Sequence, residues 1–88
     1  MKITPTALLK LSDDYVTSAL QISAQASDGD EAFRSIREGR ATKFKVTAAL
    51  LYGLAWLAAS QKITQQQLIE LLEEMRLNTV LENKQVMQ

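Results

Sequence analysis

The chain has 88 residues, ten acidic and ten basic side chains, no cysteine and no histidine. That length allows one domain, and the zero net charge points to neither a nucleic-acid scaffold nor an acidic mimic of one. Without Cys or His the usual zinc sites and the commonest catalytic bases and nucleophile pairs are missing. The sequence therefore predicts no catalytic residue, no cofactor and no metal, and the expectation is a protein that is not an enzyme.

Thr4-Pro5 is a helix start, a capping hydroxyl followed by proline at the first helical position. Ser12-Asp13-Asp14 then reads as a second start. Two readings compete. One continuous helix would align Leu8, Leu11, Tyr15, Ala19, Ile22 and Ala26. The other, slightly favoured on capping grounds, breaks at Ser12. Both place Tyr15, Val16, Ala19, Leu20 and Ile22 in the core. Nothing in Met1–Leu11 forms a signal peptide, because Pro5 and Lys10 interrupt any apolar run; cytoplasmic is the default.

Ser27 to Asp30 reads as a loop. Asp28-Gly29-Asp30-Glu31 hints at a calcium loop but lacks its pattern, with Ala32 and Phe33 where an oxygen ligand and the turn belong. A helix cap is the better reading. A short helix, Glu31–Glu38, is expected next, with Ala32, Phe33 and Ile36 inward. Glu31–Arg34 and Arg34–Glu38 are spaced to pair on its surface. Gly39 is placed to end it.

A central helix starting near Ala41 or Thr42 follows, dominated by Val46–Ala59. That stretch is too long for an ordinary strand and rich in Ala and Leu. Val46, Leu50, Leu54 and Leu57 form a ridge of large aliphatics. Ala48, Tyr52, Ala55 and Ala59 form one seam; Ala49, Gly53, Trp56 and Ser60 form another. A helix apolar all round is a core helix or a membrane span. Lys43 and Lys45 before it and Lys62 after it leave the run short of the roughly 20 residues a span needs. A short membrane-associated helix is accordingly the minor alternative.

Thr64 is a strong N-cap candidate, with Gln67 completing a capping box and Ile63 and Leu68 placed as a hydrophobic staple. The helix it starts carries Leu68, Leu71, Leu72, Met75 and Thr79 on one side and Glu70, Glu73 and Glu74 on the other. Lys62–Leu72 resembles the first helix of a helix-turn-helix, but no small-residue turn and basic recognition helix follow. The pattern fades from Leu81, and residues 83–88 read as a frayed tail.

The expected fold is thus an all-α single domain over residues 1–82, a small bundle of four main helices, the second short, packed around a central hydrophobic one. Two surfaces are candidate sites. The basic stretch Arg34, Arg37, Arg40, Lys43 and Lys45, flanked by Phe33 and Phe44, could grip a phosphate backbone; a solvated helix face paired with nearby acids is the plainer reading. The other is Ala49, Tyr52, Gly53 and Trp56. So small a chain cannot surround every side of its central helix, and aromatic residues dominate interface energetics. The expected function is non-catalytic: a protein-protein interaction module or accessory regulator that self-associates, of the kind phage and plasmids use against host proteins. Its expected partner is a protein, itself included, rather than nucleic acid or membrane.

Overall fold

A computed structural model describes residues 2–25, 31–77 and 80, residues 25 and 32 by backbone alone. Three helices are present among them: α1 (Pro5–Gln25), α2 (Glu31–Ala59) and α3 (Gln65–Glu74). No strand occurs among the described residues. The chain is all-α, but the four-helix count is not found. The expected loop and calcium-like segment from Ser27 to Asp30, together with Ala26, Thr79, Leu81 and the tail 83–88, lie outside the described residues.

Two predicted breaks are absent, and each has a physical reason. Ser12 does not cap a second helix. It lies inside α1 at 5% exposure, and its Oγ donates to the Ala48 carbonyl of α2 at 2.8 Å. A hydroxyl with a buried partner on another helix has no need of the extended backbone that capping requires. Gly39 does not end a short helix either. It sits in the interior of α2, so Glu31–Glu38 and the central stretch form one 29-residue rod. A terminating glycine works by adopting a left-handed conformation. Here the helix formers on both sides outweigh the roughly 1 kcal/mol that glycine costs a helix.

The start of α1 follows the sequence: the Ala7 amide donates to Thr4 Oγ1 at 3.1 Å, with Pro5 in the first turn. The start of α3 does too. The Gln67 amide donates to Thr64 Oγ1 at 3.1 Å, and the Thr64 amide donates to Gln67 Oε1 at 3.0 Å, a complete capping box. Such a cap contributes ~0.5–2 kcal/mol. The two helix ends that follow carry no glycine signal. At the end of α2, Lys62 N donates to Leu57 O at 2.9 Å and Gln61 N to Ala58 O at 3.2 Å, with Gln61 at φ 58°. At the end of α3, Leu77 N donates to Leu72 O at 2.8 Å and Arg76 N to Glu73 O at 3.0 Å, with Arg76 at φ 60°. Both are Schellman closures made by non-glycine residues, so each stores the left-handed penalty of about 1–2 kcal/mol. In return they turn the chain back and bury Leu77 in the core. This closure ends α3 at Glu74, short of the expected Thr79.

α1 and α2 form an antiparallel hairpin. Ser12 meets Ala48, and further along Tyr15 meets Phe44 edge-to-face, ring centroids 5.5 Å apart. α3 folds back over the base of that hairpin only. Its Leu68 and Leu72 are buried with Ile3, Leu8, Leu11, Leu51, Leu54 and Leu77. The Gln65 side chain locks the N-terminal segment to α3: Ile3 N donates to its Oε1 at 2.7 Å, and its Nε2 donates to Ile3 O at 2.8 Å. The molecule measures 45 × 25 × 19 Å, so its long dimension is that of α2.

Among the described residues, the far half of the hairpin is a pair of helices with no third helix over it. Of the residues expected in its core, Ala19 is buried and Tyr15 and Ile22 are partly so, while Val16 is exposed and Leu20 is 60% exposed. Phe33 and Ile36, expected to point inward, are also exposed, Ile36 at 60%. α3 has ten residues and so spans about 15 Å, too short to reach them.

Candidate protein-binding face

α2 presents an uncovered apolar stripe along its C-terminal half. Val46, Ala49, Leu50, Gly53 and Trp56 are exposed, and Leu57 is half-buried. Their spacing is that of a helix-packing seam: Val46 and Gly53 are one heptad apart, as are Ala49 and Trp56, and Leu50 and Leu57. α1 covers the Ala41–Ala48–Ala55 side of the helix and α3 the Leu54 side, which leaves this face to solvent. Trp56 is 61% exposed and Tyr52, beside it, 62%.

Between this stripe and α3 runs an open groove of about 580 Å³, lined by Ala49, Leu50, Gly53, Leu54, Leu57, Leu71 and Met75. Every lining side chain is apolar. A Cβ built on Gly53 meets nothing within 4 Å. The small residues Ala49 and Gly53 therefore form a trough at the surface, not a close contact within the chain. Leu71, on the facing side, is itself exposed. A surface of this kind makes dispersion and hydrophobic contacts but holds no group for acid-base, nucleophilic or metal chemistry. Among the described residues no cluster of acids or other ligands could hold a metal ion.

The residues singled out in the sequence thus fall into two sets. Ala49, Tyr52, Gly53 and Trp56 lie together on the exposed side of α2, not in the core. Val46, Leu50, Leu71 and Met75 belong to the same surface; in the sequence the first two read as part of an aliphatic ridge and the others as the packed face of the last helix. For Val46 and Leu50 the readable signal was their place on the helix face of Gly53, seven and three residues before it; Leu71 and Met75 carried none. The exposure of that face depends on where α1 and α3 dock.

The basic stretch is scattered. Arg34, Arg40, Lys43 and Lys45 are exposed and Arg37 is half-buried. At about 100° per residue they spread over roughly 200° of the helix circumference, so they form no single track for a phosphate backbone. Phe44 is engaged with Tyr15, and Phe33 alone of the two flanking rings stands open. No described helix is long and apolar enough to cross a membrane. Comparisons with protein-family models, curated proteins and solved structures give no match.

Proposed function

We propose that this protein is a non-catalytic protein-binding module, an accessory regulator whose working surface is the α2–α3 face around Ala49, Tyr52, Gly53 and Trp56. The observation that carries this reading is the all-apolar groove with its exposed heptad stripe. Half or more of Val46, Leu50, Tyr52 and Trp56 stays open to solvent. With side chains of this size the exposed patch is on the order of 500 Å², at the upper end of what a monomer carries without a partner. The shape also selects the ligand: a straight trough with small residues at its centre fits the apolar side of a helix. Trp56 serves as the anchor, since buried aromatic side chains contribute most of the energy at such contacts.

The experiment is site-specific photocrosslinking in cells. A photoreactive phenylalanine analogue at Trp56 is expected to capture a protein, and the same group at Glu73, on the solvated side of α3, is expected to capture none. Equal capture at both positions, or none at Trp56, would refute the assignment of this face.

A further inference from the structure

We infer that the occupant of the α2–α3 face is a second copy of the same chain, its α2 packed antiparallel against the first with the crossing at Gly53. The inference rests on the protein-binding reading of this face and adds the partner and its orientation.

Three observations lead to it. The first is pattern. The exposed stripe repeats at heptad spacing over Val46, Ala49, Leu50, Gly53, Trp56 and Leu57, and a seam of that period is matched by a helix with the same period. The inner sides of α1 and α3 are already used in the core; α1 also leaves Leu9, Val16 and Leu20 exposed, but the stripe on α2 borders the all-apolar groove and so offers the larger continuous apolar surface. A two-fold contact uses the same patch twice, so it covers both exposed surfaces in one event. Two patches on the order of 500 Å² each, with their flanks, reach the ~1,200–2,000 Å² of a stable interface.

The second is shape. Gly53 sits at the middle of the stripe, and a Cβ there would have open space around it. Opposed to its own symmetry mate, with Ala49 one turn away, it lets two helix backbones come close. The larger residues then lie on either side of the crossing. Trp56 of each copy reaches the level of Leu50 in the other, since each is three residues from Gly53.

The third is charge, and it fixes the direction. Arg34 to Lys45 contains five basic residues and one acid, Glu38. A parallel pairing would lay these two basic segments side by side. An antiparallel pairing sends them to opposite ends. Each then runs past the α2–α3 turn of the other copy, where Glu70 and Glu74 line the hollow next to Leu57 and outnumber Lys62. Antiparallel pairing also opposes the macrodipoles of the two 29-residue helices.

Because the chain contains no cysteine, single-cysteine variants test the geometry directly. Gly53→Cys places a side chain in open space, so the fold is retained. Under mild oxidation it should become a disulfide-linked dimer. Val46→Cys should not link to itself, because in the antiparallel pair the two copies of residue 46 are about 21 Å apart along the axis, and a disulfide needs Cα atoms within about 7 Å. An equal mixture of Val46→Cys and Ser60→Cys should give the mixed dimer. Sedimentation of the unmodified chain should show a dimer, and Gly53→Leu should give a folded monomer with an unchanged helical spectrum. Self-linking of Val46→Cys without linking of Gly53→Cys would establish a parallel pair and overturn the orientation. A monomer at high micromolar concentration, with no linking of Gly53→Cys, would overturn the second copy as occupant. In that case photocapture of a different protein at Trp56 would leave the binding face itself standing, and no capture would remove both.

Discussion

The two halves of the α1–α2 hairpin are built from similar material and end up in different states. In the base, Leu8, Leu11, Leu51 and Leu54 meet α3 and are buried. In the far half, Leu20, Phe33 and Ile36 are of comparable size and remain exposed, and among the described residues there the fully buried side chains are the small Ala19 and Ala41. The helices themselves pass through both halves without interruption. What differs is a third layer. Two helices side by side can bury the strip between them and no more; a third helix in the cleft turns a strip into a core. The ten residues of α3 decide where the stability of this molecule is located.

The largest effect that can test this contrast is in α2, which runs through both halves. Leu51→Ala removes a fully buried side chain from the base and should cost about 2–5 kcal/mol. Ile36→Ala, two turns beyond the reach of α3, should stay within about 0.5 kcal/mol. Urea unfolding of the two variants measures both. Equal losses would mean that the far half is packed against something the hairpin does not show, and the division of the molecule would be wrong.

Gln65 sharpens the same comparison at a smaller scale. Its amide donates to and accepts from the backbone of Ile3, and so joins the first residues of the chain to the first turn of α3. Gln65→Ala leaves both groups of Ile3 without that partner and should cost about 1–3 kcal/mol. Gln65→Glu should rescue little, because a carboxylate can accept from the Ile3 amide but has no hydrogen to give its carbonyl. The loss should appear in thermal melts and as faster amide exchange at Ile3 and in α3. Exchange in α2 before Ala41 should hardly change, since that half gains nothing from α3.

How much of this was readable in advance follows the range of each interaction. The Thr64–Gln67 box and the Thr4–Pro5 start are complete within a few residues, and the structure contains both. Ser12 and Gly39 carry local signals of equal strength that the fold does not use. Ser12 is decided by a carbonyl 36 residues away, and no local pattern holds that information. The ends of α2 and α3 were hard to place for the opposite reason: Gln61 and Arg76 take the left-handed conformation without the glycine that usually marks it. The candidate face was half legible. That Val46–Ala59 is apolar nearly all round, and that a short chain must leave part of it uncovered, follows from sequence and size. Which part stays uncovered is set by the docking of α1 and α3, so Val46 and Leu50 could equally have been core.

The smallest effect concerns the continuity of α2 within the far half. If α2 is one rod, residue 39 has helical backbone, and the Cβ of an alanine there would meet nothing within 4 Å. Gly39→Ala then removes the entropic cost of a mid-helix glycine without adding a contact, and stability should rise by about 0.5–1 kcal/mol. If instead a short helix ended at Gly39 and a new one began after it, the glycine would hold a left-handed conformation. Alanine would be strained there, and stability would fall by about 1–2 kcal/mol. The two architectures therefore predict opposite signs for one methyl group. A chemical-denaturation midpoint that moves up supports the continuous helix. A midpoint that moves down would divide α2 at residue 39, and residues 31–38 would then be a separate short helix hinged on the rest of the hairpin.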